Sequence, residues 1–200
     1  MIARDRASRP EAKPLRLFAA VEIPEDIRSA LAEAVLPVRE RFPKARWVPI
    51  QNQHVTVKFL GSTYPRLVEW VTGSISTVAG RHAPFPTRVE GLGAFPRDRK
   101  ARVLWAGLDD GDRRLERLAA ALDEALAREF APEKRGFTPH LTVARFDPPV
   151  GLEPLEVAFA SEPFEIDRIV LFRSQLRRPA PVYEPLGIYP LGSARDPRPA

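Results

Sequence analysis

One stretch of the chain decides how the rest of the sequence is interpreted: His54-Val55-Thr56-Val57-Lys58-Phe59-Leu60, closed by Gly61-Ser62. Most of its residues are β-branched or aromatic, which predicts a β-strand. Successive side chains of a strand point to opposite faces. His54 and Thr56 should therefore share one face, and Phe59, like the two valines, should pack on the other. The stretch predicts a strand with one polar face and one core face.

The same pattern returns once, at His140-Leu141-Thr142-Val143-Ala144. The chain has only three histidines, and two of them open the series histidine, aliphatic residue, threonine, valine. A single copy is more simply interpreted as a half-buried strand, but two copies favour one shared site. The third histidine, His82, falls near a predicted helix C-terminus, where an imidazolium complements the helix dipole, and we expect no catalytic role for it.

Two imidazoles that face one cleft suit phosphodiester chemistry, because one can take a proton from water while the other gives a proton to the leaving oxygen. Histidine fits both tasks, since its ordinary pKa of about 6.5 lies near neutral pH. The threonine hydroxyls can donate to the non-bridging phosphate oxygens, where negative charge accumulates. Such a mechanism needs no metal or other cofactor.

Apolar spacing and turn residues predict the order of the elements on either side of the two motifs. They are a strand over 15–23, a helix from 24 that Pro37 ends or kinks, a helix from 65, a hairpin with arms 85–95 and 101–108, a helix over 112–130, and β-prone segments at 164–172 and 182–189. This order predicts an α+β fold with two related halves, each presenting one motif. We expect a single domain over 15–190, with disordered tails at 1–14 and 191–200.

Composition limits the class of protein. The chain has 200 residues, of which 44% are hydrophobic and 28% charged, and it contains no apolar run near the length of a membrane helix. The first residues lack the apolar segment of a secretory signal, so we expect a cytoplasmic protein without a membrane partner. We also expect a monomer. The absence of cysteine excludes disulfides and thiolate metal sites, and the net charge of +5 weakly favours anionic partners.

At these motifs the sequence resembles the 2H phosphoesterase superfamily. Within it, the resemblance is to the RNA 2′,3′-cyclic phosphodiesterases, also called the LigT-like or 2′-5′ RNA ligase family. The similar segments run in order over about 15–190 and include Arg16-Leu17-Phe18-Ala19-Ala20, Trp47-Val48-Pro49, Val103-Leu104-Trp105-Ala106-Gly107 and Phe137-Thr138-Pro139 before the second motif. The resemblance implies a bilobal α+β fold, with two pseudo-symmetric halves of antiparallel sheet, outer helices and a central cleft. It also implies hydrolysis of RNA 2′,3′-cyclic phosphate ends to 2′-phosphates.

The resemblance implies a role for five residues. His54 and His140 would be the acid/base pair, with His54 as the acid and His140 as the base, while Thr56 and Thr142 would hold the phosphate. Arg145 would be a phosphate or substrate contact. By strict alternation, however, Arg145 lies on the face opposite His140, so it reaches the cleft only if the strand ends or bulges near Ala144. The other interpretation is a solvated arginine at a strand end.

Several alternatives stay open at this stage. The same residues would serve an enzyme acting on small cyclic nucleotides, the reverse 2′-5′ ligation of RNA, or an RNA-binding module without catalysis. The basic segment 97–102 could guide an RNA backbone or could be a charged hairpin tip, which we favour. Phe137 could stack on a base or pack in the core. Gln53 departs from the family pattern, which usually has an aliphatic residue before the first histidine.

Overall fold

The computed structural model of the protein describes residues 13–133, 136–153, 155 and 157–192. Most of the two predicted tails, residues 1–12 and 193–200, lies outside the described residues. Leu191, predicted to open the second tail, is buried, and its amide donates to the Asp167 carbonyl at 2.8 Å.

The described chain is a mixture of strands and short helices. The strands are β1 Leu15–Glu22, β2 Arg46–Trp47, β3 His54–Thr63, β4 Phe85–Phe95, β5 Ala101–Asp109, β6 His140–Val150, β7 Phe164–Ile166, β8 Arg168–Gln175 and β9 Val182–Pro190. The helices are α1 Glu25–Ala34, α2 Leu36–Arg41, α3 Pro65–Gly80 and α4 Arg114–Leu126. Pro24 precedes α1, and a proline stands in the first turn of α2 and of α3, where its missing N–H costs nothing.

The strands form two antiparallel sheets, with the orders β3-β1-β8-β9 and β2-β6-β5-β4-β7. In each sheet the strand with a His-x-Thr motif pairs antiparallel with an earlier strand of the chain, β3 with β1 and β6 with β5. The fold is therefore the predicted two-lobed α+β arrangement. The single β segment predicted at 164–172 is wrong in detail, because the chain leaves one sheet after Ile166 and enters the other at Arg168.

Both motif strands are bulged at the valine after the threonine. In the β1–β3 register, Ala19 faces Lys58 and Ala20 faces Thr56, so Val57 is left without a partner. In the β5–β6 register, Val143 is skipped in the same way. Two consecutive buried residues follow each threonine, and the next side chain returns to the polar face.

The bulges explain the outcome of two predictions from the sequence, those for Arg145 and Phe59. Arg145 is exposed on β6 and lines the same cavity as His140, as expected for a strand that bulges near Ala144. Phe59 was expected on the core face, and this was wrong: its side chain is 43% exposed. Strict alternation fails at both positions because the bulge inserts one residue before them.

The core is one cluster that draws on both sheets and on all four helices. Lys58 is buried within it at 2% exposure, and its ammonium donates to Asp123 of α4 and, at 3.1 Å, to the Ala131 carbonyl. No helix in the described part of the chain is long and apolar enough to cross a membrane.

Candidate active site

The two His-x-Thr motifs meet at one cavity of about 1200 Å³. Its lining includes His54 and Thr56 from β3, His140 and Thr142 from β6, and Arg145. The two motifs thus come together although one belongs to each sheet. This is the arrangement that the repeated pattern predicts.

His54 is oriented by its own strand entrance. Its Nδ1 donates to the Asn52 carbonyl at 2.8 Å, which leaves Nε2 as the acceptor, and the Thr56 hydroxyl lies 3.1 Å from Nε2. The Phe18 ring stacks on the imidazole with centroids 4.8 Å apart, and Tyr183 meets it edge-on at 5.2 Å. The ring is therefore held on both nitrogens and by aromatic contacts.

His140 uses the same device in the other lobe. Its Nδ1 donates to the Thr138 carbonyl, two residues earlier, at 2.8 Å. Phe95 and Trp105 approach the ring edge-on at 5.1 and 6.3 Å. Both imidazoles are thus fixed in the same tautomer, with the proton on Nδ1 and Nε2 as the acceptor nitrogen.

The pKa of each histidine is lower than the ordinary value of 6.5. Burial lowers the pKa of His54 from 6.5 to about 4, the Asn52 carbonyl opposes this shift, and a charged His140 adds to it. Burial also lowers the pKa of His140, against the Thr138 carbonyl and with the help of Arg145. At pH 7 both rings are neutral in the unliganded protein.

The cavity is strongly cationic. None of the described residues in its lining is Asp or Glu. Five arginines line it: Arg16, Arg46, Arg145, Arg177 and Arg178. The Arg16 guanidinium lies over the Phe59 ring, 4.8 Å from its centroid. A cleft with this charge attracts anions, and phosphate oxygens suit guanidinium donors.

Comparison with known proteins identifies the family. The model of the 2′-5′ RNA ligase superfamily matches residues 23–178. The chain belongs to this family.

Individual members are similar over most of the chain. An RNA 2′,3′-cyclic phosphodiesterase of Thermus thermophilus is 35% identical over 176 residues, which are 84% of this chain and 86% of that protein. One of Geobacillus stearothermophilus is 29% identical over 185 residues, 90% of this chain but 59% of that longer protein. The crystal structure of TT0787 of Thermus thermophilus superposes with a TM-score of 0.76 at 30% identity, covering 90% of this chain and 100% of that one.

The other residues that the sequence analysis considered for the site do not line the cavity. Within segment 97–102, Arg99 pairs with Glu153 at 3.1 Å and Arg102 with Asp147 at 3.9 Å, and the segment contributes nothing to the cavity lining. Phe137 packs against the core, which favours the second of its two interpretations. His82 lies at the end of α3, where its Nδ1 donates to the Val78 carbonyl at 2.8 Å.

Sequence reasoning missed most of the cationic lining. Of the five arginines, only Arg145 was singled out, because it follows a motif. Arg177 and Arg178 lie in the segment that joins β8 to β9, and their signal was a pair of arginines flanked by Leu176 and Pro179. Arg16 opens one of the segments that resemble the family, but no site role was inferred for it, and nothing local marked Arg46. The two reach the cavity from β1 and β2.

Proposed function

We propose that the protein hydrolyses the 2′,3′-cyclic phosphate at an RNA end to a 2′-phosphate, with His54 and His140 as the acid/base pair. The observation that carries the proposal is that two neutral imidazoles, one from each lobe, face a single arginine-lined cavity. The names of the Thermus and Geobacillus relatives support the same reaction.

The reaction requires His54 to carry a second proton on Nε2 in the substrate complex, and the negative charge of the bound phosphate favours that form. His140 takes a proton from water as the water oxygen bonds to phosphorus, the P–O3′ bond breaks, and His54 gives a proton to O3′. The products are a 3′-hydroxyl and a 2′-phosphate. Thr56, Thr142 and Arg145 donate to the non-bridging oxygens as their charge grows, which lowers the barrier more than it lowers the energy of bound substrate.

The test uses an RNA oligonucleotide that ends in a 2′,3′-cyclic phosphate. Changing either His54 or His140 to Ala should remove about 10²-fold or more of the rate, and the double change should cost much less than the product of the two. His82→Ala is the matched control, because His82 lies outside the cavity. Full activity in either single variant, or a loss equal to that of the control, contradicts the proposal.

Finer parts of the proposal concern the substrate and the cell. We propose RNA ends, rather than small cyclic nucleotides, as the substrate, a monomeric protein and a cytoplasmic location. Turnover on the oligonucleotide compared with a mononucleotide, and light scattering of the purified chain, test the first two. Incubating RNA that has a 2′,3′-cyclic phosphate end with a 5′-hydroxyl acceptor tests for 2′-5′ ligation, in which the acceptor hydroxyl attacks phosphorus in place of water and O3′ leaves.

A further inference from the structure

The arginine cavity, which both His-x-Thr motifs line, is larger and more cationic than one cyclic phosphate requires. Its volume of about 1200 Å³ exceeds the roughly 300–1,000 Å³ of most small-molecule sites. A 2′,3′-cyclic phosphate carries one negative charge, whereas five guanidiniums line the cavity. Among the described residues, no carboxylate pairs with any of the five. The lining therefore has room and positive charge for a second anionic group beside the reacting phosphate.

Four of the five arginines form two pairs that come from different sheets. In the first pair, Arg46 on β2 lies directly opposite Arg145 on β6. Like charges at such a position repel each other, and a phosphate that contacts both relieves the repulsion. Arg145 follows His140 on the same strand, so we assign this pair to the phosphate that reacts.

The second pair, Arg177 and Arg178, lies in the connection between β8 and β9 of the other sheet. Both residues are exposed. The Arg177 guanidinium donates to the side-chain oxygen of Gln175 at 2.8 Å, and Gln175 in turn donates to Glu184 at 3.0 Å. A guanidinium has five N–H donors, so this contact orients Arg177 and leaves most of its donors for a phosphate.

Asn52 fixes this connection next to the first histidine. Its side-chain amide donates to the Pro181 carbonyl at 2.8 Å, although the two residues are 129 positions apart in the chain. Its backbone carbonyl accepts from Nδ1 of His54, also at 2.8 Å. The connection that carries the second arginine pair is therefore anchored two residues from His54, and both Asn52 and Pro181 line the cavity.

We propose that Arg177 and Arg178 bind the phosphodiester that joins the last two nucleotides of the RNA, so that the site takes oligonucleotide ends in preference to cyclic mononucleotides. This inference rests on the proposed function, because the cyclic phosphate then lies at the two histidines. The phosphodiester is one nucleotide away from the cyclic phosphate, and its negative charge does not depend on the base. Contacts to it add affinity without selecting a sequence.

The test compares two dinucleotides that end in a 2′-phosphate, the product of the proposed reaction, and that differ in one group. The first has the natural phosphodiester between its nucleosides. The second has a methylphosphonate there, in which a methyl group replaces the charged oxygen. In calorimetry at fixed ionic strength, the wild-type protein should bind the natural dinucleotide about 10-fold more tightly, as expected for a charge-assisted hydrogen bond. The double variant Arg177→Met/Arg178→Met should bind the two within about 2-fold of each other.

Arg145→Met is the control for a general loss of positive charge. It should weaken the binding of both dinucleotides by a similar factor and keep the preference between them, because Arg145 is assigned to the reacting phosphate. Loss of the preference in Arg145→Met as complete as in the double variant would overturn the inference, since the net charge of the cavity would then account for it.

The other outcomes separate this inference from the proposed function. Equal wild-type affinities for the two dinucleotides, or a preference that survives in the double variant, would contradict the inference even if cyclic phosphates are hydrolysed. If the double variant does not melt cooperatively, the wild-type comparison decides. Hydrolysis is measured separately, on the dinucleotide with a 2′,3′-cyclic phosphate end. A preference for the natural linkage without hydrolysis would remove the proposed function and leave the phosphodiester site standing.

Discussion

The strands β3 and β6 form the two halves of the site with the same backbone geometry, but they carry different side chains after the motif. From His54 to Leu60 and from His140 to Phe146 the order of half-buried, buried and exposed positions is identical, and each strand is bulged after its threonine. Four positions after the histidine stand Lys58 in one lobe and Ala144 in the other, and five positions after it Phe59 and Arg145. Both bulged strands present the histidine and the threonine in the same way, and the two lobes differ in charge at the fourth and fifth positions after the histidine.

The first difference lies in the core. Ala144 is fully buried and needs no partner, whereas Lys58 at the same place in β3 requires Asp123 and the Ala131 carbonyl. Asp123 also accepts from the Glu133 amide at 3.2 Å. The ion pair therefore connects β3 to the segment that leads toward β6.

The largest effect expected from this comparison is on stability. Asp123→Leu leaves the ammonium of Lys58, whose side chain is 1% exposed, without its counter-charge and should cost about 3–5 kcal/mol of unfolding free energy. Lys58→Met should cost less, because the remaining Asp123 is 23% exposed and can be hydrated. The double variant should recover most of the loss. Urea unfolding measures all three, and a double variant as unstable as Asp123→Leu contradicts the argument.

The sequence predicts the part of the site that follows local rules. The two motifs, the strands that carry them and their meeting in one cleft follow from strand alternation and from the repetition itself. The bulges at Val57 and Val143 are set by pairing with β1 and β5, which no local signal specifies, so Phe59 was assigned to the wrong face. The arginine cavity depends on segments that are distant in the chain, such as β1 and the β8–β9 connection. Tertiary placement alone brings them together.

The second difference concerns the histidines, and it sharpens the assignment of acid and base. The low pKa of His54 in the unliganded protein opposes an acid role, so that role requires the bound phosphate to restore a proton. When sulfur replaces oxygen at the 3′ leaving position of a cyclic substrate, the leaving thiolate departs without needing a proton. On that substrate, the defect of His54→Ala, about 10²-fold, should largely vanish while that of His140→Ala persists. Rescue of His140→Ala instead would exchange the roles, and rescue of neither would reject the acid/base scheme.

The third difference is the charge five positions after the histidine. Arg145→Met removes a guanidinium from the arginine cavity and should lower kcat/KM by about 10- to 100-fold, the range for a charge-assisted hydrogen bond. Arg173→Met is the matched control, because Arg173 lies on β8 outside the cavity lining and pairs with Glu184 at 3.7 Å. Equal effects of the two changes in steady-state kinetics would show that Arg145 makes no contact with the substrate.

The burial of His54 also predicts how stability depends on pH. Its pKa is lower in the folded protein, at about 4, than in the unfolded chain, at about 6.5, so the unfolded chain binds the proton more readily. Stability is therefore lost as pH falls from about 6.5 toward 4, and at pH 5 the loss due to His54 is about 2 kcal/mol. His54→Asn removes the titrating group and should flatten this part of the curve relative to wild type. An unchanged difference between pH 7 and pH 5 in urea unfolding contradicts the pKa.

The smallest expected effect is that of a chelator, and it follows from what each lobe contributes to the cavity. Each supplies one imidazole, a hydroxyl and cations, and the described lining includes no carboxylate. Zinc sites use three or four nitrogen, sulfur or carboxylate ligands, and magnesium and calcium require oxygen ligands, so two histidines beside five arginines are a poor donor set. Activity on the cyclic-phosphate oligonucleotide should therefore change less than about 2-fold in excess EDTA, which corresponds to about 0.4 kcal/mol in the barrier. Loss of turnover that a divalent cation restores would overturn the prediction, and it would require a metal ligand from beyond the described lining of the two lobes.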